Sequence, residues 1–455
     1  MSPAPRLLPL AGPLYAELLL GVMVGLVCTM LAARQGVVSG AAFGLAAQIA
    51  AMLFILFRVV GAGLSVVVAQ ALGSGQVAQA DRTARASLGA ASWIGGGCGL
   101  LAIALAQPLL RLLQAPPEVI QLATPLLQWL GAAVLLDAWN TCLVGVLRAH
   151  LKARATLGVV LLMQACHLAL AWPLMTWPLL GGAPLGLLGY ALALLASRLL
   201  GTVLLLRLWR DTLGLAVLPG HFTRIDRPAL APVLRLGLPG AAENIAWRLA
   251  YMVSVAVVGA MGTVALATHT YTMQIQHVLL LSALATGLAV EILAGRLIGA
   301  GQLQATHLLV RQAMACSLGL SLLLGVAAAL AGPWLLGLFS HDEAVLRHGS
   351  RLLWLAVLVE TGRSFNLVMI NALRATGDAR YPVAAGAASF ALVMAGGSWW
   401  LGAVLGWGLA GVWLAYAADE WLRGLLMWRR WLRLRWLPFA RQTHRAQRRD
   451  AMLKP

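Results

Sequence analysis

Leu236–Glu243 reads L-G-L-P-G-A-A-E and opens a long apolar run directly after a polar, proline-punctuated stretch. Near the N-terminus, Leu10–Glu17 reads L-A-G-P-L-Y-A-E. Pro13 and Glu17 therefore recur as Pro239 and Glu243, both displaced by 226 residues (239 − 13 and 243 − 17). The offset holds far beyond the opening. Gln48 matches Gln274, G-S-G-Q at Gly73–Gln76 matches G-A-G-Q at Gly299–Gln302, Arg85 matches Arg311, Asn140 matches Asn366, and L-R-A at Leu147–Ala149 matches L-R-A at Leu373–Ala375. Apolar identities carry little weight in a chain rich in Leu, Ala and Gly, whereas paired Pro, Glu, Gln, Asn and Arg do. The chain is one unit written twice, and two halves of equal orientation make a parallel internal repeat.

Of the 455 residues, 61% are hydrophobic and only 11% are charged, far more apolar surface than a water-soluble fold can bury. A helix spanning a bilayer needs about 20 largely apolar residues, and Leu14–Ala33, Thr156–Trp177 and Leu318–Leu338 each supply such a run. Runs and breaks read this way predict an all-α polytopic membrane protein of about 12 transmembrane helices in two six-helix lobes. The N-terminal lobe takes 1–210, a linker punctuated by Pro219, Gly220, Pro228 and Pro232 takes 211–235, the C-terminal lobe takes 236–432, and a basic tail takes 433–455.

The net charge of +18 is distributed by membrane geometry rather than by a nucleic-acid partner. Arg82 and Arg85, then Arg148, Lys152 and Arg154, then Arg207 to Arg235, then Arg296 and Arg311, then Arg374 and Arg380 occupy alternate connections. Positive connections stay cytoplasmic, so both termini are expected inside, in a bacterial inner (cytoplasmic) membrane. The arginine-rich tail reads as a flank drawn to anionic lipid. Tryptophans near span ends, among them Trp172, Trp177, Trp399, Trp400, Trp431 and Trp436, read as headgroup anchors. The first apolar run exceeds a signal-peptide core and lacks a strongly charged leader. Five scattered cysteines show neither a disulfide framework nor metal-ligand spacing.

An ionisable group near the bilayer centre costs about 2.5–3.5 kcal/mol on insertion scales, so each one needs a partner, a cavity or a task. The candidates are Glu17, Arg58 and Asp137 in the first half, and Glu243, Arg248, Glu291, Glu360, Arg363, Asp419, Glu420 and Arg423 in the second. Glu243 follows Pro239 by one turn, and proline can free backbone carbonyls for a cation; the alternative is a plain ion pair with an arginine. Glu17 repeats that placement. Glu360, Arg363 and Asn366 share a helical face, so the first two can pair across a turn. Asp137 stands at the position equivalent to Arg363, an inversion of sign between the halves. Ion coupling is assigned to Glu243, Glu360, Asp137 and Glu17. Substrate contact is assigned to Gln274, Gln48, Asn244, Tyr271, Met273, Asn366 and Arg363, on hydrogen-bonding capacity and the adaptability of Met and aromatic groups.

No phosphate-binding loop and no soluble nucleotide-binding domain are evident, which leaves an ion gradient as the energy source. One cation moving down about 100 mV supplies about 2.3 kcal/mol, enough for a roughly 50-fold substrate gradient.

Four motifs in register resemble the multidrug and toxic compound extrusion family of secondary transporters. They are L-P-G-A-A-E at Leu238–Glu243, M-G-T-V-A-L-A-T-H at Met261–His269, A-Q-A-L-G-S-G-Q at Ala69–Gln76 and N-A-L-R-A-T-G-D-A-R at Asn371–Arg380. The resemblance implies alternating access and export of organic, often cationic compounds in exchange for Na⁺ or H⁺, with acidic residues binding the coupling ion. It departs from the family at Cys28, which precedes Thr29 where members often carry an aspartate, at Arg363, where others carry an acid, and at Trp247, where some place the seventh-helix acid. The expected partners are a small-molecule substrate and the bilayer, with the chain a monomer, no cofactor beyond the coupling ion and no nucleic acid. Alternatives are a flippase for a lipid-linked precursor and an exporter of an endogenous metabolite. An intramembrane enzyme would need a convergent catalytic set, and none stands out.

Overall fold

The structure, a computed structural model, describes residues 7–178 and 184–452, with the backbone alone for 54–60, 62 and 446–452. Arg58 lies outside the described side chains. The described residues are helical throughout, with short connections. In chain order the first repeat gives α1 (Leu8–Arg34), α2 (Val37–Gly73), α3 (Val77–Leu112), α4 (Pro117–Ala149), α5 (Ala153–Thr176) and α6 (Gly186–Leu213). The second gives α7 (Arg227–Gly259), α8 (Thr263–Gly299), α9 (Leu303–Leu330), α10 (Glu343–Thr376), α11 (Arg380–Val404) and α12 (Gly408–Leu432). A tail helix, α13 (Leu437–Met452), follows.

Nine of these helices are long and apolar enough to cross a membrane on length and composition alone. Among the described residues α2 gives two shorter apolar stretches, Val37–Leu53 and Gly63–Gly73, and α7 and α12 fall short because Glu243, Asn244 and Arg248 interrupt one and Asp419, Glu420 and Arg423 the other. The chain is an all-α multi-pass membrane protein.

Three details differ from the sequence reading. Helix α7 begins at Arg227, inside the stretch read as linker, since Pro228 falls in its first turn, where a fixed φ and a missing N–H cost nothing. It then runs through Pro239 without a break, as α1 runs through Pro13. The basic tail, to which the sequence reading gave no secondary structure, carries a helix.

The chain forms two compact units, one of Ala16–Ala69 with Val77–Leu238 and the other of Met1–Tyr15, Gln70–Gln76 and Pro239–Pro455. In the first, α3 packs closely on α4, and the glycines Gly99 and Gly131 let the backbones meet: a Cβ on Gly99 would sit 2.4 Å from the Gly131 carbonyl oxygen. Lipid tails are as apolar as leucine, so such close van der Waals approach holds membrane helices together. The linker is tied to α3 by Arg82, whose Nε donates to Asp226 at 2.6 Å.

In the second unit the end of α2 crosses the end of α8, and the repeat is reproduced at atomic level. A Cβ on Gly73 would meet the Arg296 carbonyl oxygen at 2.0 Å, and one on Gly299 would meet the Gln70 carbonyl oxygen at 2.0 Å. Gln70 also donates from Nε2 to the Ala375 carbonyl at 2.8 Å. The paired G-x-G-Q motifs are therefore a crossing that admits no side chain. Gly299→Val is expected to lower stability by ~1–3 kcal/mol through overpacking, read as a lower melting temperature of purified protein; an unchanged melting temperature would contradict the close crossing.

Candidate ion and substrate site

Buried charges that the sequence scatters along the chain are gathered by the fold into four groups among the described residues. The first two are related by the repeat. Arg148 on α4 donates from Nη2 to Glu17 Oε2 on α1, and Thr156 Oγ1 donates to Glu17 Oε1 at 2.8 Å. In the second unit Arg374 on α10 donates from Nη2 to Glu243 Oε2 on α7 at 2.6 Å. Glu17 and Glu243 each have one arginine, supplied by the paired L-R-A motifs, and each pair is electrically balanced. Asn244, the next residue along, is exposed and donates from Nδ2 back to the Gly240 carbonyl. Glu291, buried on α8, feels the Arg374 charge.

The third group lies between α10 and α12. Arg363 donates from Nη1 to Glu360 Oε1 at 2.9 Å and from Nε to Glu420 Oε1 at 3.0 Å. Glu420 Oε2 accepts from Asn366 Nδ2 at 2.9 Å and from Arg423 at 2.7 Å. Asp419 Oδ2 accepts from Arg423 Nη2 at 2.8 Å, and Asp419 Oδ1 accepts from Ser389 Oγ on α11 at 2.6 Å. The Arg423 guanidinium also lies 4.5 Å from the centre of the Phe390 ring. Every member is buried. Helical spacing explains the assembly: Glu360, Arg363 and Asn366 line one face of α10, and Asp419 and Glu420 each stand one turn before Arg423 on α12.

This group is not balanced. Glu360, Asp419 and Glu420 carry three negative charges against two positive charges on Arg363 and Arg423, an excess of one negative charge. Five of the six carboxylate oxygens accept from a named donor; the sixth, Glu360 Oε2, is buried without a hydrogen bond. The Gln276 side chain of α8, 0% exposed, lies beside Glu360, and neither its Oε1 nor its Nε2 completes a hydrogen bond of good geometry.

A cavity borders the group, lined by Trp247, Tyr251, Met273, Met394 and Tyr416, with Arg363, Asp419 and Glu420 at its polar side. Its volume is about 10 Å³, about what one water needs. Trp247 stacks on Tyr251 with ring centroids 5.3 Å apart. Beside the cavity α11 is wound as a π-helix over Phe390–Ala395 and Ser398–Val404, the wide form that recurs at functional sites. Its Phe390 and Met394 face the charge cluster and the cavity.

In the first unit the counterpart is smaller. Asp137 pairs with Arg198 at 2.7 Å, and Asn140 accepts from Thr202 Oγ1 at Oδ1 and donates from Nδ2 to the Arg198 carbonyl, both at 3.0 Å. One acid faces one base.

Of the residues assigned to substrate, Met273 lines the cavity, while Arg363 and Asn366 are committed to the charge cluster. Tyr271 stacks on Phe339 at 5.4 Å, and the paired Gln48 and Gln274 are both exposed. The residues that sequence reading missed are Gln276, Trp247 as a cavity wall, Tyr251, Met394 and Tyr416. Gln276 had a signal: it falls three residues after Met273 and seven after His269, on the one face of α8 that all three share.

A family model, MatE, matches residues 13–172 and again 239–400. The chain belongs to the MatE family. These are the multidrug and toxic compound extrusion transporters, and the double match reproduces the internal repeat. An uncharacterized transporter of Bacillus subtilis, YisQ, is 28% identical over 431 residues, covering 95% of this chain and 94% of its own. A probable multidrug resistance protein, NorM, of Rhizobium meliloti is 27% identical and covers 89% and 88%. Among solved structures, the Vibrio cholerae MATE transporter VcmN in its bent form superposes with a TM-score of 0.85 at 19% identity, over 96% of this chain and 97% of that one. A MOP superfamily transporter from Pyrococcus furiosus gives 0.86 at 19% identity, over 95% and 96%. This MatE chain is a membrane transporter by family, and its unequal charge clusters are features of its own sequence.

Proposed function

We propose that this MatE protein is an antiporter that exports organic cations in exchange for protons, with the proton carried by Glu360. The observation that carries this reading is the single unpartnered carboxylate oxygen in a buried cluster with one negative charge in excess. A buried unpaired charge is costly, so the cluster favours taking up one positive charge. Glu360 Oε2 is the one carboxylate oxygen of the cluster without a hydrogen bond, and its orphaned neighbours Gln276 Oε1 and Asn366 Oδ1 are neutral amide oxygens; one free carboxylate oxygen suits a proton better than sodium, which takes several oxygen ligands. A proton there needs only one acceptor, which the Gln276 carbonyl oxygen supplies. The proton removes the excess charge and gives Glu360 Oε2 and Gln276 Oε1 a shared hydrogen bond.

A substrate cation offers the same neutralisation from the other side. Trp247, Tyr251 and Tyr416 supply aromatic walls, and Met273 and Met394 supply adaptable apolar surface, beside Asp419 and Glu420. Proton and organic cation then compete for one negative charge, and mutually exclusive occupancy is the basis of exchange.

A flippase for lipid-linked phosphate would need cations free to meet the phosphate. Arg363 and Arg423 are both committed to carboxylates, so the cluster favours the cation exporter.

The test is uptake of a fluorescent organic cation into proteoliposomes under separate gradients. An outward-directed proton gradient is expected to drive accumulation and a sodium gradient alone to leave it at equilibrium. Sodium-driven accumulation without a proton gradient would overturn the proposed coupling.

A further inference from the structure

Two of the tryptophans read as headgroup anchors, Trp431 and Trp436, are fully buried. They stack on each other with ring centroids 4.3 Å apart and planes 9° from parallel. Trp431 Nε1 donates to His307 Nδ1 on α9 at 2.9 Å, and Trp436 Nε1 donates to the Trp431 carbonyl at 3.1 Å. Their burial is the work of the tail. The chain turns back at Leu434, which takes a left-handed φ of 53°, and α13 is thereby laid across the ends of other helices.

The inner face of α13 is specific in its contacts. His444 Nδ1 bonds the Gly299 carbonyl at the end of α8 at 2.9 Å, and Thr443 Oγ1 donates to the Thr376 carbonyl at the end of α10 at 3.2 Å. These are carbonyls at helix C-termini, which lack intrahelical donors. At the root of the tail Arg430 donates to Asp378 at 2.5 Å and lies 4.1 Å from the Tyr381 ring centre.

The outer face has a different chemistry. Arg433 and Arg435 in the turn before α13, and Arg441 and Arg445 on α13, are exposed and pair with no described carboxylate; Leu432 and Leu434 are exposed beside the first two and Phe439 on the helix. Arginines interleaved with apolar side chains, at the point where a membrane span ends, match an anionic headgroup layer over hydrocarbon. A nucleic acid would leave the apolar residues without a partner.

We propose that α13 and the turn that leads into it form an anionic-lipid clamp: their exposed arginines bind phosphatidylglycerol-type headgroups, and through His444 and Thr443 α13 holds the ends of α8 and α10. Headgroup binding pins the tail, and the pinned tail fixes the two helix ends that it caps.

The test is hydrogen exchange on the full-length protein in nanodiscs of phosphatidylcholine alone or with about 30 mol% phosphatidylglycerol. Amides of α13 are expected to exchange roughly tenfold more slowly in the anionic discs, with the difference reduced in about 0.5 M salt. Replacing Arg433, Arg435, Arg441 and Arg445 together by glutamine should abolish that difference. His444→Ala with Thr443→Val should keep it, yet speed exchange at Gly301, Gln302, Gly377 and Asp378. Equal exchange in the two discs, or lipid protection that survives loss of the four arginines, would overturn the clamp. So would protection by soluble polyglutamate in neutral discs with none from phosphatidylglycerol, which would assign the face to an acidic protein. The readout involves no transport, so it stands or falls apart from proton coupling.

Discussion

Glu360→Gln is expected to abolish proton-driven accumulation of organic cation while leaving the protein folded. The substitution keeps the shape of the side chain and mimics the protonated state. It removes the one negative charge that Arg363 and Arg423 leave uncompensated and fixes the cluster in its neutral form. One proton exchanged for one organic cation moves no net charge, so the gradient given up is the one that the pH difference sets, about tenfold per pH unit, and accumulation should fall to the equilibrium level. Substrate binding in detergent should weaken and lose its pH dependence, while the melting temperature stays at or above that of the parent. Wild-type accumulation by the variant would remove Glu360 from the coupling step. Glu243→Gln serves as the contrast, because it leaves Arg374 without its carboxylate and is expected to act on stability first.

Arg423→Met should have the largest effect on stability. Arg423 donates to Asp419 and Glu420 and covers the Phe390 ring, so its loss leaves two buried carboxylates with Arg363 as their remaining cation. Breaking a buried pair from one side costs about 3–5 kcal/mol, most of it the penalty of the stranded charge. Thermal unfolding of purified protein should show the loss, and adding Asp419→Asn should restore much of it by removing one stranded charge. If the double variant is no more stable than Arg423→Met, the electrostatic account fails and lost packing against Phe390 is the cause.

Glu243 and Glu360 show how far the sequence reading reached. Both are legible as candidates because an ionisable residue inside an apolar run is conspicuous, and the Glu360–Arg363 pair follows from helical spacing alone. The partner of Glu243 was not legible. Arg374 is 131 residues away, and the same separation joins Glu17 to Arg148, so the repeat contained both pairs without announcing either. Gln274 drew attention through its match with Gln48, yet helical phase turns Gln274 outward and Gln276 inward. The tail read correctly as basic, but a charge count does not reveal that a left-handed turn at Leu434 folds it back to bury Trp431 and Trp436.

The membrane class, the duplication and the asymmetry of charge between the halves were determined by the sequence itself, because hydropathy, period and composition are properties of contiguous residues. Which carboxylates are balanced was decided only by the tertiary structure. Charge balance in a dry interior depends on which helices lie side by side, and α10 against α12 brings Glu360 and Glu420 to one guanidinium from positions that no local pattern connects. The single free oxygen on Glu360 is the remainder of that packing.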